Sequence, residues 1–486
     1  MVFSSYIFLL VFLPAVVIGY YALRARGAYG ASVTFLLVSS FVFYAYWSVA
    51  HLALLLGSIA VNFVIGRQAA KGPAKPYRRG AVIFGVVFNM SLIFAFKYLD
   101  FAGSNLAALA GGDWKLLNIL LPLGISFFTF QQIAYLVDCY TTGEYEKRAR
   151  DYALFVSFFP QLIAGPIVHH SHTRPQFAAL SKGKLNLEMA PYGLMIFAMG
   201  LFKKTIIADP IARTIDPIYA LAASGEPLSA AMAWTAMIGY SLQIYFDFSG
   251  YCDMAIGLGL MLGVRLPVNF NSPYKAKSII EFWRRWHITL SNFLRDYVYI
   301  PLGGNRFGNI FRLRNIFLTM LIGGVWHGAA WTFLIWGAIH AALITANHGL
   351  RLYAPGFDRW NDVASVFIKR AATLAFVMLA WVFFRADDLP AAMSVLSGLA
   401  ASGQSVWTLE PAAFALIAFA AALALFAPNS LEVSGYREDL REPFPPADAK
   451  ANKIRPTPMA AAATAIMLAC GVAVAWKPAV FIYFNF

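Results

Sequence analysis

Long apolar runs dominate this chain and leave little room for a fold that is soluble in water. Charged side chains make up 13% of the 486 residues, whereas 60% are hydrophobic. A soluble protein carries roughly 25% charged residues, and one globular core cannot bury an apolar excess spread over this length. Most of the folded surface must therefore contact lipid, which excludes soluble, disordered, fibrous and disulfide-stapled proteins.

The apolar runs have the length of membrane-spanning helices, which need about 20 apolar residues to cross the hydrocarbon. Counting broken and re-entrant segments, we expect roughly 10 to 13 membrane helices. The first run is followed, not preceded, by Arg24 and Arg26, so we interpret it as a retained span with an external N-terminus. The predicted spans are 6–23, 33–49, 52–65, 82–96, 116–136, 152–168, 193–207, 230–245, 316–344, 371–384, 412–426 and 459–474.

Basic residues concentrate in loops that this alternation of spans places on the cytoplasmic side. The clusters at 67–79 and 147–150 both agree with that orientation. We therefore attribute the net charge of +14 to cytoplasmic Lys and Arg, and expect no nucleic-acid partner. The polar stretch 429–456 is predicted to be a surface loop before the last helix.

The segment 265–314 has nine Lys and Arg residues against two acids. Within it we predict a basic helix over 281–300, because polar side chains recur there at spacings of 3, 4 and 4. One interpretation is an amphipathic helix at the cytoplasmic interface of the membrane. The other is a cationic entrance for a phosphopantetheine or coenzyme A thioester, since Arg binds phosphate well. The candidate donor-binding residues are Arg284, Arg285, Ser291, Arg295 and, outside this helix, Trp326.

His327 lies deep in an apolar run, among Gly323, Gly324 and Gly328. An ionisable side chain at membrane depth is a functional-site hypothesis, the alternative being a structural His bonded to a neighbouring helix. Small neighbours allow close approach and imidazole can remove a proton near neutral pH, which favours function. On a continuous helix His340 would point about 220° away from His327, so we interpret it as structural.

Two further sets of polar side chains lie in apolar runs. Asp247 and Asp253 could act as acid and base, but we favour pairing with nearby Arg residues that holds the basic helix. Pro and Gly interrupt the runs 122–138 and 157–167, which predicts broken helices around a cavity. Candidate lining residues are Gln131, Gln132, Asp247 and Asp253.

A metal site is not expected. His169, His170 and His172 have no carboxylate or Cys at ligand spacing nearby, so we interpret them as a solvated loop end. The three cysteines are far apart in the sequence and indicate neither a disulfide framework nor a metal centre.

A series of motifs follows one order over nearly the whole chain. They include LPLGISFFTFQ, FFPQLIAGPI, YFDFSGYCDMAIGLG, FWRRWHITLSNFLRDYVYIPLGGN, the WHG at 326–328, WVFFRADDL and the terminal FIYFNF. Together they resemble the membrane-bound O-acyltransferase (MBOAT) family, most closely its bacterial alginate O-acetyltransferase branch. The resemblance implies an all-α membrane domain over 1–486 around a central funnel, with N-terminal helices (1–151), a catalytic core (152–350) and C-terminal helices (351–486).

The resemblance also implies an activity and the residues that perform it. An acyl group moves from a thioester to a hydroxyl, with His327 as the catalytic residue and His287 close to the reaction funnel. The donor implied is cytoplasmic acetyl-coenzyme A or an acyl carrier, used as substrate, with no resident cofactor.

The acceptor implied is an exported polysaccharide such as alginate, acetylated with periplasmic or surface acetyltransferase partner proteins. The location implied is the bacterial inner membrane, in contact with lipid and with a periplasmic N-terminus. Two alternatives stay open. One is a membrane subunit for peptidoglycan O-acetylation, and the other is a transporter of acyl donor without bond chemistry, which the lack of repeat symmetry disfavours.

Overall fold

The computed structural model describes residues 1–353, 363–402, 409–436, 457–475 and residue 482, and this part of the chain contains helices and no β-strand. The predicted all-α class is confirmed. Residues 437–456 of the predicted polar loop 429–456 lie outside the described residues, as do all but one residue of the terminal FIYFNF motif. In chain order the α-helices of these ranges are α1 Leu13–Ala25, α2 Tyr29–Ala45, α3 Val49–Lys71, α4 Lys75–Ile93, α5 Leu99–Leu109, α6 Ile125–Thr142, α7 Ala149–Ser157, α8 His170–Ser181, α9 Ala190–Phe202, α10 Asp209–Ala223, α11 Ala230–Met261, α12 Ile279–Arg285, α13 Ile288–Leu294, α14 Asn309–His327, α15 Trp331–Tyr353, α16 Val363–Arg385, α17 Leu389–Gly398, α18 Pro411–Phe426, α19 Ser430–Ser434 and α20 Pro458–Ala473.

Several of these helices have the length and composition of membrane spans, as the sequence predicts. Four segments with π-helical turns, Ile7–Phe12, Phe94–Tyr98, Lys203–Ala208 and Arg295–Tyr299, adjoin α-helices. Shorter apolar helices are α2, α17, α18 and α20. In the described part of the chain, the helices long and apolar enough to cross a membrane are Ile7–Ala25, Val49–Lys71, Lys75–Leu109, Trp331–Tyr353 and Val363–Arg385.

The chain divides into two compact units. The first unit comprises Met1–Leu201, Tyr251–Pro267 and Ser434–Lys477. The second comprises Phe202–Gly250, Val268–Val433 and Pro478–Phe486. The basic segment around His287 and the WHG motif both belong to the second unit.

Buried amides hold the helices of the first unit together. Asn62 on α3 and Asn89 on α4 exchange two hydrogen bonds of 3.2 and 2.7 Å. Gln132 on α6 donates to the hydroxyl of Ser58 at 2.9 Å, and Gln131 donates to the carbonyl of Phe155 at 3.1 Å. Because lipid offers no hydrogen-bonding partners, such groups must be satisfied inside the protein. The two glutamines therefore act here as interior bridges between elements.

The break predicted in the run 122–138 lies at the start of that run, because α6 is continuous from Ile125 onward. Helix α6 begins only at Ile125, after Gly124, whose φ of 73° lies in the left-handed region. A Cβ on that residue would also meet the backbone oxygen of Leu162 at 2.9 Å. Only Gly suits this position. The predicted span 116–136 is wrong over residues 116–124, which precede α6. The second predicted break is also present, because α7 ends at Ser157.

The predicted span 316–344 of the second unit is wrong, because it is two helices and not one. Helix α14 ends at His327 and α15 begins at Trp331. The two helices pack closely where Gly324 meets Gly337, and a Cβ on either would lie 2.7 or 2.8 Å from the other's Cα. Small residues at such a contact let helix backbones approach in a membrane.

The predicted continuous basic helix 281–300 is also wrong. Helix α12 ends at Arg285 and α13 begins at Ile288, and the break contains His287 with a φ of 44°. The π-helical turn Arg295–Tyr299 follows directly. Consequently Arg284 and Arg295 do not share one regular helix face.

Replacing Gly324 by Ala is expected to destabilise the α14–α15 hairpin, because the new Cβ would lie 2.7 Å from the Cα of Gly337. We expect a loss of about 1–3 kcal/mol, measured as a lower unfolding temperature in detergent. Gly349→Ala in α15 is the matched control, since a Cβ there meets nothing within 4 Å. Ala favours helix over Gly, so the control should keep or raise the unfolding temperature. Equal unfolding temperatures for the two variants would contradict the close packing.

Candidate active site

His327 is enclosed by aromatic rings at the end of α14. Its side chain is 3% exposed. The ring centroids of Trp336 and Phe384 lie 4.9 and 5.0 Å from that of His327, with interplanar angles of 87° and 72°. The ring of Trp326 also lies 4.9 Å away. The imidazole therefore occupies a buried, largely apolar environment that contains little room for water.

Gly328 lets the chain turn immediately after this histidine. A Cβ at Gly328 would collide with the ring of Phe333, the third residue of α15. The glycine of the WHG sequence is therefore required for steric reasons. It leaves room for the ring of Phe333, in the first turn of α15, to pack against the backbone that follows His327.

His287 is held in one protonation form by Asn269. Its Nδ1 lies 3.1 Å from Asn269 Oδ1, and the same oxygen accepts hydrogen bonds from the backbone N–H and hydroxyl of Thr289, at 3.2 and 2.9 Å. An amide oxygen only accepts, so His287 Nδ1 carries a proton, and in the neutral ring the lone pair is on Nε2. A buried imidazole oriented in this way can take a proton at Nε2.

The structure brings His287, Trp326 and His327 together in the second unit. The ring centroids of His287 and Trp326 lie 6.3 Å apart. The two histidines thus contact the same indole, one from the α12–α13 break and the other from the end of α14. Trp326 was predicted as a donor-binding residue, and it lies beside both imidazoles.

Three residues that contact this cluster, Asn269, Trp336 and His340, were not predicted as site residues. Asn269 and Trp336 have no motif that marks them, whereas His340 was interpreted from a continuous helix that does not exist. The rings of His327 and His340 lie 4.9 and 4.8 Å from that of Trp336. The directional argument that separated the two histidines is therefore wrong.

The predicted donor-binding residues of the basic segment differ in their surroundings. Arg284 is exposed. Arg285 pairs with Glu281 at 2.8 Å and Arg295 pairs with Asp296 at 2.7 Å. Ser291 donates its hydroxyl hydrogen bond to the carbonyl of Trp283 at 3.2 Å.

A cationic cluster forms where α12 ends, α14 begins and α15 ends. Arg312 Nη2 lies 3.1 Å from His348 Nδ1, and the charges of Arg284 and Arg351 also act on His348. Arg312 precedes His327 by 15 residues of α14, which corresponds to about 22 Å along the helix axis. Positive charge thus gathers at one end of the hairpin and His327 lies at the other.

Asp247 has a different partner from the one predicted. Lys204 Nζ lies 2.8 Å from Asp247 Oδ1 and 2.8 Å from Asp209 Oδ1, with all three side chains buried. Asp247 also accepts a hydrogen bond of 3.1 Å from the backbone N–H of Ile482. The expected pairing with an Arg of the basic segment is wrong, because a Lys from the π-helical turn 203–208 compensates this carboxylate. Asp253 is buried in the first unit.

The His169–His172 segment is not a solvated loop end. It opens α8 in the first unit, and His170 is buried with its Nε2 3.2 Å from Glu146 Oε2. Burial raises the pKa of Glu146, but hydrogen bonds from His170 and from two backbone N–H groups outweigh it and hold the pKa below its usual value. In the part of the chain that the structure describes, no group of three His, Cys, Asp or Glu residues could hold a metal ion.

The fold defines a multi-pass membrane protein, and its second unit contains a buried cluster of histidines and aromatic rings. Residues 148–386 match the model of the membrane-bound O-acyltransferase family. A peptidoglycan O-acetyltransferase of Helicobacter pylori is 44% identical over 82% of this chain and 80% of its own length. A probable alginate O-acetylase of Pseudomonas putida is 41% identical over 84% and 82%. A teichoic acid D-alanyltransferase of Bacillus subtilis is 30% identical over 50% and 61%.

The chain belongs to the membrane-bound O-acyltransferase family, and it is an acyltransferase. The resemblance inferred from the ordered motifs is confirmed.

Replacing Asn269 by Leu removes the oxygen that fixes the His287 tautomer. If Nε2 of His287 takes part in proton transfer, the rate of acyl transfer should fall about 100-fold or more. Thr289→Val is the matched control, because it removes one donor to the same oxygen and leaves the His287 contact. Its effect should stay below about tenfold, the size of one neutral hydrogen bond. Initial rates of purified protein, with unfolding temperatures measured alongside, distinguish the two, and equal losses would contradict the role of the tautomer.

Proposed function

We propose that this enzyme transfers an acetyl group from a cytoplasmic thioester toward a hydroxyl of an exported polysaccharide. The observation that carries the proposal is the His287–Trp326–His327 cluster, buried among aromatic rings in the second unit. The relatives named as O-acetylase and O-acetyltransferase support acetyl as the group transferred. Their names describe bond chemistry, which favours transfer over transport of an intact donor.

The chemistry follows from the two imidazoles. His327 removes the proton of the attacking hydroxyl, and the resulting nucleophile attacks the thioester carbonyl. His287, with its lone pair on Nε2, provides a second position that accepts a hydrogen bond or proton near the same indole. A thioester is already activated, so a positioned base in a dry site is sufficient in principle without a resident cofactor.

Acetyl-coenzyme A is the donor that the charge distribution supports best. Its phosphates would bind at the cationic cluster that Arg284, Arg312 and Arg351 form around His348. The pantetheine arm would then run along the hairpin toward His327, about 22 Å away. An acyl carrier protein presents the same arm with one phosphate and is the alternative donor. Arg285 and Arg295 already have acidic partners, so we give them a smaller part in donor binding.

Two acceptors are supported. Alginate or a similar exopolysaccharide is the first, through relatives about 40% identical over most of the chain. Peptidoglycan is the second, because the Helicobacter relative is 44% identical. For either polymer we place the enzyme in the bacterial inner membrane with a periplasmic N-terminus, working with periplasmic or surface proteins that complete the acetylation.

His327→Ala should abolish transfer, lowering the rate of coenzyme A release from acetyl-coenzyme A by about 100-fold or more, because the proton acceptor is lost. The assay uses purified protein in lipid vesicles with the acceptor polymer, followed by thiol release and polymer acetylation. His51→Ala in α3 of the first unit is the control and should retain wild-type rates. Wild-type rates in His327→Ala would contradict the proposed role of this histidine, and a wild type that releases no thiol would contradict the donor.

Arg284→Gln and Arg312→Gln should each raise the KM for acetyl-coenzyme A by about tenfold, the size of one lost charge-assisted hydrogen bond. The kcat of Arg312→Gln should change little, because Arg312 lies about 22 Å from His327 along α14. Arg295→Gln is the comparison, since Arg295 is bound to Asp296, and its effect on KM should be smaller. Equal KM values in all three variants and the wild type would contradict a phosphate site at this cluster.

A further inference from the structure

His340 is a neutral imidazole with a defined donor nitrogen. Trp283 Nε1 donates a hydrogen bond of 3.3 Å to His340 Nδ1. An indole nitrogen only donates, so Nδ1 is the acceptor and the proton of the neutral ring lies on Nε2. The side chain is fully buried at 0% exposure. His340 therefore presents one N–H group inside the second unit.

Trp336, whose ring contacts that of His340, carries a second N–H group. Its side chain is 1% exposed, and its ring lies between those of His327 and His340, at 4.9 and 4.8 Å. Within the described residues, neither Trp336 Nε1 nor His340 Nε2 has a hydrogen-bond acceptor. Native structures leave few buried donors unsatisfied, and in a membrane protein lipid cannot satisfy them. Two such donors, whose rings contact each other beside His327, call for an acceptor outside the described residues, and a bound substrate can supply one.

We propose that Trp336 and His340 are further catalytic residues, whose N–H groups bind the carbonyl oxygen of the thioester and stabilise the negative charge that forms on it. The inference rests on the proposed acyl transfer and adds to it the binding site of the oxyanion. A neutral donor suits this task in a buried site, because it stabilises developing charge without placing a permanent cation in an apolar environment.

The step balances with the groups already present. The acceptor oxygen forms a bond to the carbonyl carbon while His327 removes its proton, and the carbonyl electron pair moves onto oxygen, where the two N–H groups bind it. When that pair returns, the carbon–sulfur bond breaks and its electrons leave with sulfur. The protonated His327 returns the proton to the thiolate. The products are an ester and a free thiol, and both histidines and the tryptophan end unchanged.

The opposing interpretation is that the two rings only pack. The planes of Trp336 and His340 meet at 63°, a geometry in which an N–H group can also point toward an aromatic face. In that case the ring volumes would matter and the N–H groups would not. Variants that keep the ring and remove the donor separate the two.

The experiment compares Trp336→Phe, His340→Phe and His340→Gln, using purified protein in lipid vesicles with acetyl-coenzyme A as donor. Trp336→Phe and His340→Phe keep an aromatic ring without N–H, and each should lower kcat by about 100-fold or more. The KM for acetyl-coenzyme A should stay within about threefold, because the oxyanion exists only in the transition state. His340→Gln places an amide N–H near the position of Nε2. Its kcat should therefore be at least about tenfold higher than that of His340→Phe.

Phe282→Leu is the packing control, because the Phe282 ring is stacked on His340 at 6.3 Å and carries no polar hydrogen. It should lower the unfolding temperature and keep kcat within about threefold of the wild type. Equal kcat losses in His340→Phe, His340→Gln and Phe282→Leu would overturn the proposal in favour of packing. So would wild-type kcat in Trp336→Phe and His340→Phe. A wild type that releases no thiol from acetyl-coenzyme A would instead contradict the proposed function, so the two failures are distinguishable.

Discussion

The break between α14 and α15 is the constraint on which the rest of the site depends. An interruption of a helix at membrane depth frees backbone groups that lipid cannot satisfy, so it persists only where protein surrounds it or where it lines a cavity. Here the break follows His327 directly, and the close contact of Gly324 with Gly337 keeps the two arms of the hairpin together. The same interruption turns α15 so that Trp336 packs against the imidazole.

His287 lies at a second helix interruption, between α12 and α13, so both histidines of the cluster are placed by a break in a helix. Its φ of 44° is in the left-handed region, which is strained for a side chain with a Cβ and is held by surrounding contacts. Asn269 and Thr289 supply those contacts, and they also fix which nitrogen carries the proton. The same contacts to Asn269 therefore hold the strained backbone of His287 and fix its tautomer. A regular helix over 281–300 would orient His287 outward along with Arg284, away from Asn269.

Composition and motif order were sufficient to predict the helical class, the membrane environment and the two histidines as candidates. Periodicity failed where helices break, because a helix interior and the two sides of a break are equally apolar in this chain. The His327–His340 relation shows the consequence, since a rotation of about 220° is meaningless once the helix is interrupted. Asn269 and the Lys204–Asp247 pair escaped for another reason. Their partners are distant in sequence, and only the folded chain brings them together.

Cationic and neutral groups lie at opposite ends of the hairpin, and the proposed mechanism uses both: the cationic end for a phosphate-bearing donor and the neutral end for acyl transfer. Cations at the end near Arg312 attract anions, but a permanent cation beside the reacting carbonyl would be costly in an apolar site and would lower the basicity of a nearby imidazole. The rings around His327 are instead neutral, with Trp336 and His340 carrying N–H dipoles. Neutral dipoles bind a developing oxyanion more strongly as its charge grows, and they bind the uncharged thioester only weakly. In the proposed mechanism, that difference between ground state and transition state accelerates the reaction.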